Sequence, residues 1–325
     1  MSKILITRFS SIGDIVITSA AVRCVRQAFP DSEIHFATKE VFSPLVQYSP
    51  HIDKLRLLGD EWNAYVSTFK GEHFDVFIDL HKNIRTRLLR SAVRADQYIS
   101  YGKRNLDKWL LVNLKLNRLN RYSVNQNYFT QLEQLGVQYD GEGLDFYYDV
   151  SSISSGIKDL ASEPYLVMAL GAQFATKQAP VDILEKLVAE LNGRVMLIGG
   201  ERERAIGDLL ATTGSNVVNL CGSTTLPESA YLIENAGKVF SHDTGMMHIA
   251  AAFDKDLAVL WGSSVPEFGF APVYPESSRA DVRHFENSDI GCRPCSKLGH
   301  QKCPKKHFKC MREIDYQEIA SFLNQ

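Results

Sequence analysis

Short apolar runs recur along the chain, each bounded by polar or glycine-containing residues and followed by a stretch of helical periodicity. In the first half they read KILITRF (3–9), EIHFAT (33–38), KLRLL (54–58), DVFIDL (75–80) and QYISY (97–101). The second half repeats the pattern with YLVMAL (165–170), RVMLIG (194–199), NVVNL (216–220), KVFSH (238–242) and LAVLWG (257–262). Amphipathic segments such as DILEKLVAELNG and LPESAYLIENAG lie between them. Apolar strands alternating with helices predict open parallel α/β sheets covered on both faces. The stretch 141–164 is rich in Gly, Ser and acidic residues and carries little periodicity, so the division between two such sheets is expected there. The chain therefore reads as two α/β domains, 1–155 and 156–325, with ligands expected beyond the carboxyl ends of the strands, in a cleft served by both.

Composition narrows this picture. The 325 residues are 45% hydrophobic and 23% charged, the balance of a globular protein, and the formal charge of −2 gives no global signal for nucleic acid. The first residues run directly into a strand pattern, so no secretory leader is expected, and no apolar stretch approaches the roughly 20 residues of a membrane helix. The cytoplasm is the expected location. Of six cysteines, Cys24 and Cys221 fall in apolar periodic segments and read as core residues.

Three strand-to-helix junctions carry candidate chemistry. In SSIGD, after the first strand, Ser10 or Ser11 is a natural N-cap, Gly13 permits close approach of backbone or ligand, and Asp14 falls in the first helical turn. A helix N-terminus favours an ionised carboxylate, which could take a proton from a bound hydroxyl or simply complement the helix dipole. In SHDTGMMHIAAAF (241–253), Asp243, Thr244 and Gly245 open a helix whose unpaired amides suit a phosphate, with His248 about one turn in. In GAQFATKQAP (171–180), Lys177 lies in a loop where its charge could offset a departing phosphate. A fourth junction, GGERERA (199–205), offers Glu201 or Glu203 to ribose hydroxyls. It lacks the spacing of a dinucleotide fingerprint, and DKD (254–256) reads as a turn rather than a metal site.

Taken together, SSIGD, the lysine of ATKQAP, and SHDTGMMHIAAA followed by LAVLWG resemble glycosyltransferase family 9, the ADP-heptose:lipopolysaccharide heptosyltransferases. The resemblance implies a GT-B architecture of two Rossmann-like domains with parallel sheets facing a central cleft. The second domain would hold the nucleotide sugar, and the final helix would pack toward the first. It also implies an inverting transfer of heptose from ADP-heptose that needs no metal. On that basis Asp14 is the expected catalytic base, and Lys177 the catalytic, phosphate-binding lysine. Ser11, Gly13, Asp243, Thr244, Gly245 and His248 are the expected donor contacts, with Glu201 on the ribose. A nucleotide-sugar epimerase on a similar fold, or a nucleotide-sugar-binding protein without turnover, are the competing readings.

Two further features bear on partners. Between Lys82 and Arg121, eleven Lys and Arg residues face only Asp96 and Asp107. Such a segment suits an anionic glycolipid acceptor and peripheral association with the inner membrane through polybasic attraction. Near the end, Cys292, Cys295, Cys303 and Cys310 have a spacing that would allow a structural tetrahedral zinc.

Overall fold

The computed structural model describes residues 2–119 and 122–325. All ten strands expected from the apolar runs are present, and an eleventh joins them. In the first sheet, β1 (Lys3–Thr7), β2 (Glu33–Lys39), β3 (Lys54–Leu58), β4 (His73–Asp79) and β5 (Arg94–Ser100) are all parallel, in the order β3-β2-β1-β4-β5. Helices α1 (Ile12–Ala28), α2 (Trp62–Ser67) and α3 (Ile84–Ala92) connect them. Helix α4 (Asn105–Leu114) follows, and then α5 (Val124–Leu132), which packs on α1. Strand β1 is apolar and buried over Ile4–Thr7 because it lies mid-sheet with both faces covered.

The second sheet begins after α6 (Ser155–Leu160) with β6 (Tyr165–Ala169), and α7 (Val181–Ala189) leads to β7 (Arg194–Ile198). Helix α8 (Arg204–Ala211), β8 (Val217–Asn219), α9 (Leu226–Asn235), β9 (Lys238–His242), α10 (Gly245–Ala252) and β10 (Leu257–Trp261) continue the alternation. Strand β11 (Val282–Glu286) completes a parallel sheet ordered β11-β10-β9-β6-β7-β8. It was not legible as a strand because VRHFE carries no apolar run, with Phe285 its one buried residue. Two short C-terminal helices follow, α11 (Lys309–Arg312) and α12 (Tyr316–Asn324).

The chain divides into two compact units, one of Met1–Arg104, Tyr122–Tyr148 and Val273–Ser277, the other of Asn105–Arg121, Asp149–Pro272 and Ser278–Gln325. The segment carrying α4 thus belongs with the second unit. Lys115 Nζ donates to the carbonyls of Cys292 (3.2 Å) and Pro294 (2.8 Å), and Lys297 Nζ to Asn105 Oδ1 (2.7 Å). In exchange, residues 273–277 join the first unit through a bridge between Glu142 and Pro275 and a Glu276 N–H bond to the Gly141 carbonyl (2.8 Å). Helix α12 packs against α7, β9 and β10 of its own unit. Each unit has its own core, one around Phe9, Phe74 and Phe77, the other around Leu197, Phe240 and Leu260. Cys24 and Cys221 are buried, and burial raises their thiols to about 11 and about 12. Among the described residues no helix is long and apolar enough to cross a membrane.

Candidate active site

In the first sheet the chain runs outward from β1 through β2 to β3, then returns to place β4 on the other side of β1. The loops leaving β1 and β4 therefore diverge, opening a crevice at their carboxyl ends, the usual ligand position in such sheets. Asp14 stands there. Ser11 caps α1, and Asp14 Oδ2 accepts hydrogen bonds from the Ser11 amide (3.0 Å) and hydroxyl (2.6 Å). Its other oxygen is paired with Arg8, a residue the motif search did not single out. The Arg8 guanidinium is buried, and also donates to the carbonyls of Ser10 (2.9 Å) and Leu80 and to the Tyr128 hydroxyl (3.3 Å). Burial opposes its charge, but Tyr128, Asp14 and Tyr101 more than offset this, and its pKa lies above the ordinary arginine value. Gly13 is buried beneath this turn, whereas the Asp14 side chain is 18% exposed. A carboxylate held by a fixed cation, yet open to solvent, can receive a proton from a bound hydroxyl.

The β4 loop adds His81, also unremarked in the sequence. Asp79 Oδ1 accepts from the amides of His81 (2.9 Å) and Lys82 (2.7 Å), folding the loop back, and the Phe9 amide donates to His81 Nδ1 (3.1 Å). Burial, then the neighbouring Arg8 and Lys103, lower the His81 pKa to about 3, so the ring is neutral.

The second sheet repeats the device. Its chain runs outward from β6 to β8 and returns at β9, so the loops after β6 and β9 flank its own switch point. These loops carry Lys177 and Asp243. Lys177 Nζ donates to Asp243 Oδ2 (2.6 Å), which also accepts from Ser264 Oγ (2.5 Å) in the loop after β10. Thr244, in extended conformation, is the N-cap of α10, so Gly245 and its successors present unpaired amides beside the Lys177–Asp243 pair. His248 is buried on α10. The two glutamates diverge. Glu201 has a 71% exposed side chain and is paired with Arg204 (2.7 Å), which lowers its pKa. Glu203 is nearly buried, accepting from the Gly200 amide (3.0 Å) and from Gln178 Nε2 (3.2 Å), next to Lys177.

The loop after β10 is held from behind by the cysteine-rich segment. Arg293 Nε donates to the Gly262 carbonyl (2.7 Å) and Nη2 to the Ser264 carbonyl (2.9 Å), while Thr176 Oγ1 meets Ser263 Oγ at 2.9 Å. A Cβ on Gly262 would lie 2.5 Å from the Thr176 carbonyl oxygen and also collide with Met311. Gly262→Ala is therefore expected to cost about 1–3 kcal/mol through overpacking. Urea denaturation checks this, and a wild-type midpoint would contradict the contact. The zinc expectation is not met by the geometry: among the described residues, no group of three or more His, Cys, Asp or Glu side chains is placed to hold a metal ion. Cys310 belongs to the second core, where burial raises its thiol to about 12.

His242 resembles His81 in being kept neutral. It is fully buried at the end of β9, its Nε2 accepts from the Ala179 amide (3.0 Å), and burial lowers its pKa to about 4. Both histidines have folded pKa values below the unfolded value of about 6.5, so the unfolded chain binds protons that the folded chain refuses. Stability is then present above about pH 6.5 and falls as the pH drops toward about 4, by at most about 1.4 kcal/mol per group per pH unit. A lower urea midpoint at pH 5 than at pH 7 is expected; equal midpoints would contradict the burial of both neutral rings.

Comparison with known proteins follows the same lines. The model of glycosyltransferase family 9 (heptosyltransferase) matches residues 62–307. The lipopolysaccharide heptosyltransferase 1 of Campylobacter coli is 21% identical over 99% of this chain and 98% of its own length. That of Pseudomonas aeruginosa is 26% identical over 91% and 86%. Among solved structures, the Escherichia coli heptosyltransferase WaaC with ADP superposes with a TM-score of 0.72 at 17% identity, covering 99% of this chain and 98% of that one. The fold is thus that of the GT-B heptosyltransferases.

Proposed function

Because the chain belongs to glycosyltransferase family 9, and is therefore a glycosyltransferase, we propose that it moves heptose from ADP-heptose to a lipopolysaccharide-core or related anionic glycolipid acceptor, with inversion and without a metal. The observation that carries this reading is a repeated placement. An oriented carboxylate stands at the switch point of one sheet, and a lysine beside a helix N-terminus stands at the switch point of the other. These are the two groups a displacement at an anomeric carbon requires, a base for the attacking hydroxyl and a cationic site for the departing diphosphate.

In the proposed step the acceptor oxygen attacks the anomeric carbon while Asp14 takes its proton. The bond from that carbon to the diphosphate oxygen breaks, and its electron pair leaves with ADP. Lys177 and the first amides of α10 meet the charge on the phosphates. Asp243 is better suited to orienting Lys177 than to touching the diphosphate, since a carboxylate against a phosphate is repelled and Asp243 is already bonded to Lys177 and Ser264. For the ribose, Glu203 replaces Glu201 as the favoured contact: it adjoins the Lys177 loop through Gln178, whereas Glu201 points to solvent and Arg204. Ser11, Gly13, Thr244, Gly245 and His248 retain their proposed donor roles.

The acceptor reading draws on the exposed Lys82, Arg85, Arg87, Arg90 and Arg94 of the first unit. Arg121 of the same basic stretch lies outside the described residues. The expected product carries the opposite anomeric configuration from the donor, and chelator leaves the rate unchanged. NMR of the product and assays in EDTA test this; retention, or loss of activity on chelation with recovery on adding metal, would overturn the proposed mechanism.

A further inference from the structure

Helix α4 exposes much of its apolar surface. Its outward arc carries Leu106 (68% exposed), Trp109 (54%) and Leu114 (54%), while its inward arc buries Leu111 and Lys108, the latter with its ammonium 4.7 Å from the centre of the Phe270 ring. A ten-residue helix with three large apolar side chains facing outward and a lysine among its two buried residues gives up part of the burial that normally fixes a helix in place. The apolar surface extends beyond the helix through Leu116, 49% exposed, and Leu298, which follows the Lys297 bonded to Asn105. Its rim is basic. Arg104, Arg118 and Lys297 are exposed there, the only acid of the segment, Asp107, is half-buried, and residues 291–310 contain no acid at all.

We propose that α4 seats the protein on an anionic lipid surface, with the Leu106–Trp109–Leu114 face entering the headgroup region and the basic rim meeting lipid phosphates. An apolar arc bearing a tryptophan and flanked by Lys and Arg is the composition of helices that lie in a membrane interface. The rim selects this occupant over a second copy of the chain, because a symmetric contact would set the same cations against each other. The attachment goes beyond polybasic attraction, since the leucines are buried as well as the charges matched. It is independent of the transfer chemistry, so failure of one leaves the other standing.

The test is co-sedimentation of the full chain with vesicles of equal parts phosphatidylethanolamine and phosphatidylglycerol, against vesicles of phosphatidylcholine alone. The protein is expected to sediment with the anionic vesicles, less so at high salt, with a blue shift of emission that Trp109→Phe removes. The double variant Leu106→Gln, Leu114→Gln should keep the wild-type melting temperature, since both side chains are exposed, and lose about tenfold or more in vesicle affinity. Wild-type protein left in the supernatant, or a double variant that sediments equally well, would overturn the proposal. Concentration-dependent self-association that the double variant abolishes, without vesicle binding, would overturn it in favour of a second copy.

Discussion

Asp14→Asn is expected to lower the rate of heptose transfer by about 10²–10⁴-fold, the usual contribution of a positioned general base, while leaving ADP affinity within about twofold. The amide keeps the size of the carboxylate but cannot accept the acceptor's proton. It also fits its surroundings less well. The Ser11 amide and hydroxyl and the Arg8 guanidinium all donate to Asp14 in the native arrangement, and an amide can offer an oxygen to only one side. Its NH₂ group must face a donor on the other, at a cost of about 1 kcal/mol. The variant should melt slightly earlier than the wild type and still bind nucleotide. Steady-state transfer kinetics alongside ADP calorimetry separate these effects, and transfer at the wild-type rate would remove Asp14 from the base role.

Lys177→Ala should have the second-largest effect, lowering both ADP affinity and transfer rate, the latter by about 10²–10³-fold as for loss of a charge-stabilising donor. The loss has two parts. The phosphates lose a cation, and Asp243 loses the partner that neutralises it, leaving a mostly buried carboxylate held only by Ser264 beside the N-terminus of α10. That carboxylate would then repel the diphosphate the site is proposed to bind. The second part predicts a non-additive result: Asp243→Asn combined with Lys177→Ala should bind ADP more tightly than Lys177→Ala alone. A double variant weaker than either single one would show that Asp243 contacts the donor rather than orienting the lysine.

The parallel sheets were legible in the sequence because inner strands such as β1, β6, β7, β9 and β10, covered on both faces, are apolar along most of their length, while the edge strands β3, β5 and β8 still carry short apolar runs. Strand β11 escaped notice because an edge strand can keep Arg283, His284 and Glu286 out of the core. The assignment of α4 to the second unit was hidden for a different reason. Its packing includes Lys115 and Lys297 reaching backbone and side-chain oxygens more than 170 residues away, and no local pattern encodes such contacts.

Of the candidate site, the helix openings at Ser11 and Thr244 were legible from capping chemistry, and Asp14, Lys177 and Asp243 from their positions at strand ends. Arg8 left a trace that could have been read: a cation closing an apolar strand, three residues before the N-cap of a helix with an acid in its first turn. His81, two residues beyond β4, left a weaker one. Ser264 and Arg293 left none, since both act through loop carbonyls and the Asp243 carboxylate. The choice between Glu201 and Glu203 depended on which side of one short turn faces the strand ends.

The most direct test of the account is calorimetric titration of ADP, with UDP for comparison, in the presence of EDTA, on the wild type, Asp14→Asn and Lys177→Ala. The account predicts metal-independent binding that favours ADP over UDP, is retained in Asp14→Asn and falls at least tenfold in Lys177→Ala, about 1.4 kcal/mol. Binding that requires a divalent metal, prefers UDP or is indifferent to Lys177 would contradict it.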